Sequence, residues 1–382
     1  MGEPTLFDPV KVGSAALKHR VAMSAMTRTR CYYRTGVVSE IVQEYYEQRA
    51  SDGGLLVSEG VALCPMAVCY LRAPGIWTDD QVASWKPLIE RVHKKGSTIF
   101  CQLMYTGRVT HKSLLPNNRL PPAPSAVKPN GQHHIEGGKA EYDTPHALTL
   151  DEIPGVIEEF VFAAKRAMEA GFDGIELHGG NGYLLQEFLS PVTNLRTDAY
   201  GGSVEKRCKF VLELIDACVA AIGKDKVAIK LQPGVTFSDL VEPEQAVVDQ
   251  LEYLGPVLET RELAYVCLSS LNTEPYCFFA KLSGPNVKFD VFQKFRKHYK
   301  GRLMVNGAIS VEMAKKYVAE GTADLVSFGV LFLANPNLPE LIKAGKELNQ
   351  GGMNVKVWYG RETDPLNEND AEGYTDWPIV SA

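Results

Sequence analysis

The chain has 382 residues, and 45% of them are hydrophobic, which is enough to bury a large core. The formal net charge of -6 is small and gives no reason to expect nucleic acid or an anionic membrane as a partner. No apolar run reaches the length of a membrane span, and the N-terminus lacks the apolar core of a signal peptide. We therefore expect a cytoplasmic protein, monomeric or homodimeric, whose partners are small molecules.

An apolar stretch at residues 6–12 predicts a short hairpin that acts as a lid, and strand-like and helical segments alternate after it. The strand-like segments are apolar on both faces, as buried parallel strands require, and they span residues 21–26, 54–61, 98–103, 175–177, 227–231, 265–268, 303–305 and 325–328. The helical segments span residues 39–50, 79–95, 203–222, 242–259, 289–298, 310–320 and 336–346, with one more that ends at residue 170.

A segment rich in Pro, Gly and Asn, residues 115–150, interrupts this alternation after the third strand. Thr149 and Glu152 then form the pattern of a capping box at the head of the next helix. The tail, residues 351–382, is polar and is predicted to be irregular.

Eight strand–helix units predict an α/β protein in which residues 1–382 form a single (β/α)8 TIM barrel with an N-terminal hairpin lid and an insertion after strand three. A doubly wound open sheet is the alternative. Such sheets usually carry a glycine-rich dinucleotide loop after the first strand, whereas this chain has Met26-Thr27-Arg28 there.

The cysteines and histidines show no spacing that is typical of a metal site. No Cys-x-x-Cys pair occurs, and several of the eight cysteines, such as Cys101, lie in apolar runs, so we predict reduced thiols. His133 and His134 are adjacent in a glycine-rich loop, where we expect both to be solvated.

The predicted strands end in polar residues or glycine. In a barrel of this kind catalytic groups lie at such C-terminal ends, which here are Thr27, Glu59-Gly60, Gln102, His178, Lys230, Ser269-Ser270, Asn306-Gly307 and Gly329. Core packing alone does not explain eight such ends, because many buried donors would stay unsatisfied. Gln102 and Thr27 suit a planar heterocycle, and the late glycines suit a phosphate held by backbone N–H groups.

The segment after the fourth strand is the most distinctive one. His178, Asn181 and Tyr183 are separated by glycines, so an imidazole, an amide and a phenol lie at one strand end where a ligand can approach closely. For the His178/Asn181 pair alone, a strand-to-helix turn with a hydrogen-bonded histidine is an equally good interpretation.

Together these segments resemble the old yellow enzymes, which are FMN-dependent NAD(P)H oxidoreductases that reduce activated alkenes. The resemblance covers nearly the whole chain, and its most specific part is the block HGGNGYLLQEFLSPVTNLRTDAYGGSVEKR that starts at His178. Further matching segments are LFDPV, AMTR, SEG, YLRAPGIW, QL, APS, FGVLFLANPNLPEL and GYTDWP. Thr27, where another branch of the family carries Cys, favours the yeast-like branch.

The resemblance implies non-covalent FMN, with NADPH as the hydride donor. It implies flavin contacts for Ala25, Met26, Thr27, Gly60, Gln102, His178 and Lys230, and phosphate contacts for the backbone of Gly307, Ala308, Gly329 and Val330. His178 and Asn181 would hold a carbonyl or nitro oxygen of the substrate, and Tyr183 would be the proton donor. Tyr70, Met104 and Tyr374 would line the substrate cavity.

Two positions depart from the family. Lys230 stands where the family usually has Arg near the flavin pyrimidine, and lysine offers a point charge without a planar fork. Val330 stands where a phosphate-binding Arg usually follows the last strand, so the phosphate would rely on backbone N–H groups and a helix dipole. Arg361 is a candidate replacement. These departures predict weaker retention of FMN.

Three other functions stay open on the sequence alone. The first is a quinone, nitro or carbonyl reductase, such as an enzyme of the prostaglandin F synthase type. The second is a flavin-binding protein with weak turnover, which Val330 motivates. The third is a flavin-free barrel that acts on a phosphosugar, which Gln102 and Thr27 disfavour.

Overall fold

The computed structural model describes residues 2–234, 237–270, 287–360 and 370–381. At its centre lies a closed barrel of eight parallel strands, in which each strand pairs with the next and the last pairs with the first. These strands are β1 (Val21–Met23), β2 (Leu55–Val57), β3 (Thr98–Met104), β4 (Gly174–Gly179), β5 (Val227–Leu231), β6 (Tyr265–Ser270), β7 (Leu303–Gly307) and β8 (Leu325–Phe328). The predicted (β/α)8 fold is confirmed.

Helices surround the barrel and bury apolar faces against it. In the described residues they are α1 (Glu40–Arg49), α2 (Asp79–Lys94), α3 (Ile153–Ala170), α4 (Leu184–Leu189), α5 (Val204–Ile222), α6 (Glu244–Glu259), α7 (Val291–His298), α8 (Val311–Ala319), α9 (Val330–Ala334) and α10 (Leu338–Lys343). In α3 the buried side chains Val156, Phe160, Ala163 and Ala167 recur at helical spacing, which is the stripe that packs inward.

The N-terminal hairpin closes the amino end of the barrel. It pairs Val10–Val12 with Ala15–Leu17, slightly later in the chain than predicted. Val10, Val12 and Leu17 pack in one cluster with the apolar residues of the barrel interior. The hairpin therefore covers the amino end of the barrel interior.

Two predicted helix starts differ from the structure. The Glu152 carboxylate accepts a hydrogen bond from the Thr149 N–H at 2.8 Å, but the Thr149 side chain caps nothing and α3 begins at Ile153. The capping-box prediction is thus half correct. The helix predicted at residues 336–346 is shorter, Leu338–Lys343, and a separate short helix, Val330–Ala334, precedes it. Between the two, the Asn335 side chain donates to the carbonyl groups of Leu331 and Asn349.

The insertion after β3 contains an antiparallel hairpin, Gln132–Ile135 with Gly138–Glu141. Successive residues of such a hairpin point to opposite faces. His134 is exposed, as predicted, but His133 is only 4% exposed, so the prediction that both are solvated is wrong for His133. The glycine-rich composition concealed this alternation.

The remaining composition-based predictions concern thiols, metals and membranes. Seven cysteines lie in the described residues, and all seven are buried and free, as predicted, whereas Cys277 lies outside these residues. The described part of the chain contains no group of His, Cys, Asp or Glu side chains suited to a metal. Its helices include none with the length and apolarity that a membrane crossing needs.

Buried arginines hold the C-terminal tail against the barrel. Arg28, Arg30 and Arg49 donate mainly to backbone carbonyl groups, which belong to Phe332, Leu333, Val357, Trp358, Asp370, Glu372, Gly373 and Tyr374. Arg72 forms a two-pronged ion pair with the Asp370 carboxylate, with Nη1 2.9 Å from Oδ1. In its described residues, 351–360 and 370–381, the tail forms two short 3-10 turns, Gly351–Met353 and Val355–Val357, and is otherwise irregular. The arginine bonds fix these residues in place.

We expect Arg72→Met to destabilise the protein by about 3 kcal/mol, because it removes the Arg72 guanidinium from the largely buried Asp370 carboxylate. The matched control is Lys18→Met, since the Lys18–Asp52 pair is mostly exposed, at 66% and 69%, and such pairs contribute about 0–1 kcal/mol. Urea unfolding of both variants measures the difference. Equal losses would show that the Arg72 pair does not anchor the tail.

Candidate active site

A cavity of about 440 Å³ opens at the carboxyl ends of the strands, a size typical of small-molecule sites. Thirteen of the predicted site residues line it, namely Ala25, Met26, Thr27, Tyr70, Gln102, His178, Asn181, Tyr183, Lys230, Gly307, Ala308, Gly329 and Val330. Arg361 lies outside the described residues. The structure therefore brings together side chains that are up to 305 positions apart in the sequence.

Three predicted residues do not reach the cavity wall. Met104 is 1% exposed and covers Gly60, so that a Cβ on Gly60 would lie 2.7 Å from the Met104 sulfur. Tyr374 is fully buried and stacks on Tyr45 with ring centroids 4.0 Å apart. The prediction that Met104 and Tyr374 line the cavity is corrected accordingly.

The position of Tyr374 has a clear physical cause. The guanidinium groups of Arg28 and Arg30 lie over its ring, at 4.8 and 4.4 Å from the ring centre. These cation–π contacts and the stack on Tyr45 hold the ring beneath the tail instead of in the cavity. The tail contributes Trp358 and Tyr359 to the wall instead.

Sequence reasoning missed several lining residues, namely Ser24, Tyr142, Gln232, Phe237, Ser238, Trp358 and Tyr359. Gln232 follows Lys230 by two positions, so strand alternation could have indicated it. Tyr142, Trp358 and Tyr359 lie outside the barrel strands, on segments that no local pattern positions.

A buried carboxylate holds the lining residue Gln102 from within the barrel. Glu176 is opposite Gln102 in the register of β4 and β3, and its two oxygens accept from Gln102 Nε2 at 2.8 Å and from the Tyr265 hydroxyl at 2.9 Å. Burial raises the pKa of Glu176, and the charge of Lys230 opposes that rise. One of the two Gln102 amide hydrogens is used in this way, which leaves the carbonyl oxygen as an acceptor and the second N–H as a donor for a ligand.

The neighbouring ammonium group, that of Lys230, is also fixed by hydrogen bonds. Lys230 Nζ donates to Asn306 Oδ1 at 2.9 Å and approaches Ser24 Oγ at 3.4 Å. Lys230 is also the register partner of His178 across β4 and β5. A fixed positive charge therefore stands directly beside the imidazole.

His178 is a neutral hydrogen-bond donor. Burial, and then the charge of Lys230, lower its pKa to about 3. The Gly180 N–H lies 3.3 Å from Nδ1, so this nitrogen accepts and the proton is on Nε2. The Asn181 amide nitrogen lies 3.3 Å from that same Nε2. With the proton on Nε2, this contact is not a hydrogen bond between the two groups, and two N–H donors are adjacent at the cavity wall.

A tight turn brings Tyr183 to the same place. Asn181 and Gly182 both have positive φ, 58° and 75°, a conformation that Asn and Gly tolerate best. The Asn181 N–H donates to Gln232 Oε1 at 2.7 Å, which fixes the turn. After it, the ring of Tyr183 lies 5.1 Å from that of His178.

Tyr183 remains protonated at neutral pH. It is 6% exposed, and burial raises its pKa well above the ordinary value. The Tyr70 hydroxyl acts in the opposite direction, through a hydrogen bond that favours the Tyr183 phenolate. The site thus combines two neutral donors for an oxygen with one buried acid.

Comparisons with known proteins agree with this geometry. A family model described as NADH:flavin oxidoreductase / NADH oxidase family matches residues 5–349. The 12-oxophytodienoate reductase 2 of Arabidopsis thaliana is 36% identical over 379 residues, which are 99% of this chain and 96% of the relative.

Two solved structures resemble the whole chain. Morphinone reductase has a TM-score of 0.88 at 37% identity and covers 99% of this chain and 97% of its own. An old yellow enzyme homologue from Zymomonas mobilis has a TM-score of 0.89 at 34% identity and covers 99% of this chain and 100% of its own. A further structure shows morphinone reductase in complex with tetrahydroNAD.

We expect the His178 ring to keep the neutral Nε2–H form from pH 8 to about pH 5, because its folded pKa lies near 3. The unfolded ring titrates near 6.5, so the unfolded state takes up a proton first and the free energy of unfolding falls as the pH drops through this window. Histidine-selective ¹⁵N NMR measures the tautomer. His93, whose pKa is raised by its hydrogen bond to Asp173, is the control that should titrate. A His178 midpoint near 6.5 would contradict the assignment.

Proposed function

The chain belongs to the NADH:flavin oxidoreductase / NADH oxidase family, and we propose that it is an ene-reductase that uses FMN and NADPH to reduce α,β-unsaturated carbonyl compounds. The observation that carries this proposal is the meeting of His178, Asn181 and Tyr183 at one cavity. A pair of neutral donors beside a protonated phenol is what the reduction of a polarised alkene requires.

The residues of the cavity fit FMN. Gln102 offers an acceptor and Lys230 a positive charge to the polar edge of a flavin ring. Gly307 has φ of 122°, and a Cβ there would collide with the Ser270 carbonyl oxygen, so the chain passes closely at this strand end. The Ala308 N–H lies 3.3 Å from that carbonyl, so it would be shared between Ser270 and a phosphate. When bound there, FMN would supply the hydride-transfer chemistry between NADPH and the alkene.

Side chains at the cavity would bind the substrate oxygen and supply the proton. His178 Nε2–H and the Asn181 amide would donate to the carbonyl oxygen of the substrate and stabilise the negative charge that develops on it. Tyr183 would give its proton to the α-carbon while the β-carbon receives the hydride. The product is then the saturated carbonyl compound, and the Tyr183 phenolate regains a proton from solvent.

Quinones and nitro compounds form a second substrate class. Their oxygens would bind to the same His178 and Asn181 donors, but their reduction needs no proton on carbon. The preference for NADPH or NADH as hydride donor is tested separately. A solved structure shows morphinone reductase in complex with tetrahydroNAD, so NADH is the alternative donor. Equal kcat/KM with NADH and NADPH would remove the preference for NADPH from the proposal. The use of FMN and the reduction of the alkene would remain.

We expect purified protein to be yellow, with one FMN per chain, and Tyr183→Phe to slow reoxidation by cyclohexenone by about 10² or more, the usual scale for the loss of a general acid. Reduction by NADPH and reoxidation by a quinone should persist, because neither needs the phenol. Stopped-flow of both half-reactions measures this.

Two results would count against these assignments. A colourless protein that takes up no added FMN would remove the flavin from the proposal. Equal cyclohexenone rates for wild type and Tyr183→Phe would leave protonation to solvent.

The phosphate end supplies another prediction. Val330→Arg should tighten FMN binding by about 1–3 kcal/mol if its guanidinium reaches the phosphate. Val330→Leu is the matched control, since it changes size without adding charge. Fluorescence titration of the apoprotein with FMN measures Kd. An unchanged Kd would indicate that backbone N–H groups, or another cation such as Arg361, already saturate the phosphate, and Arg361→Ala would distinguish the two.

A further inference from the structure

His133 of the insertion hairpin is inserted behind the wall of the cavity. It is 4% exposed, and its Nε2 lies 2.7 Å from the backbone carbonyl oxygen of Cys69. A carbonyl oxygen only accepts, so this nitrogen carries the proton and donates it. The ring packs between Tyr70 and Tyr142, with centroid distances of 5.9 and 5.6 Å. Both tyrosines line the cavity.

Of the two adjacent histidines, the hairpin buries His133 and exposes His134. His133 pairs with Ala140 and His134 with Lys139 in the antiparallel register, so the two rings point to opposite faces. His134 is exposed and does not touch the wall residues Tyr70 and Tyr142 through its ring in the described contacts. The chain therefore contains its own matched control.

The contact with Cys69 connects His133 to Tyr183, the proposed proton donor. Cys69 precedes Tyr70 in the chain, and it packs in one small cluster with Val109 and Tyr183. The Cys69 thiol also donates to the Val109 carbonyl at 3.3 Å. Holding the Cys69 carbonyl therefore fixes the backbone from which the Tyr70 side chain starts.

Tyr70 in turn packs against this cluster, which contains Tyr183, and hydrogen bonding by the Tyr70 hydroxyl favours the Tyr183 phenolate and so acts to lower the pKa of Tyr183. Because Tyr183 must keep its own proton for the substrate, its oxygen is the acceptor in this bond. Donation from Tyr70 stabilises the negative charge that remains on Tyr183 once the proton has left. A shift of Tyr70 would remove that stabilisation without disturbing His178 or Asn181.

We propose that His133 is a positioning residue for proton transfer: the hairpin, through its hydrogen bond to Cys69, holds Tyr70 against the phenol oxygen of Tyr183. This inference rests on the proposed function, since it assigns a role in the alkene reduction. His133 touches neither the substrate nor the reacting atoms. Burial lowers the pKa of His133, so the ring is neutral when the enzyme works.

The test compares three variants of the FMN-loaded protein. His133→Phe keeps a ring but removes the donor, His133→Gln keeps an N–H donor near the position of Nε2, and His134→Gln changes the exposed neighbour. After reduction by NADPH, each variant is reoxidised in stopped-flow with cyclohexenone or with a quinone. FMN content and the midpoint of thermal unfolding are measured on the same samples.

For His133→Phe we expect reoxidation by cyclohexenone to slow by about tenfold, a part of the full effect of a general acid, while the quinone rate stays the same. His133→Gln should recover most of the loss, and His134→Gln should match wild type. In a Tyr70→Phe background, His133→Phe should cause no further loss, because both changes act through one hydroxyl.

Several outcomes would overturn the inference. Equal slowing with both oxidants would indicate a structural role only, as would His133→Gln behaving like His133→Phe. An unchanged cyclohexenone rate in His133→Phe would remove His133 from proton transfer. If His133→Phe does not fold, His133→Asn, whose amide falls short of the Cys69 carbonyl, replaces it with the same expected loss. Failure of the wild type itself to reduce cyclohexenone would instead reject the proposed function, and with it this role.

Discussion

Two opposite charges buried in one barrel are the constraint on which the site depends. Glu176 and Lys230 lie on adjacent strands, and each would cost several kcal/mol to bury without partners. Strand register sets Gln102 opposite Glu176 as its partner, and Asn306 accepts from Lys230. The same register places Lys230 beside His178. The same charges then act on the site, because Lys230 helps to keep His178 neutral. A slip in register would therefore disturb both stability and chemistry.

Much of this arrangement could be predicted because buried parallel strands have a simple sequence pattern. Their bodies are apolar and their ends are polar, so Gln102, His178 and Lys230 could be assigned to one rim from the sequence. The turn at Asn181 and Gly182 was equally visible, since glycine and asparagine indicate positive φ. Local pattern was sufficient wherever a residue's place follows from its own strand.

The errors fall where a distant segment decides the position. Tyr374 belongs to a matching motif, but arginines from the first strand end hold its ring away from the cavity. His133 lies in a glycine-rich stretch that seemed solvated, and a hairpin alternation within the insertion turns it inward. The local sequence does not show that His133 contacts the cavity wall or that Tyr374 lies under the arginines. Each contact depends on how the insertion or the tail packs against the barrel.

The way in which the tail is attached has a consequence for how this enzyme can change. Arg28, Arg30 and Arg49 bind it through main-chain carbonyl groups, which every amino acid carries. Apart from the Asp370 carboxylate and the Tyr374 ring, these bonds therefore do not depend on which side chains the tail presents. Trp358 and Tyr359 line the cavity from this segment, whose main-chain carbonyl groups accept from Arg28 and Arg30. A substitution at either position would change the cavity wall and would leave these main-chain acceptors in the chain.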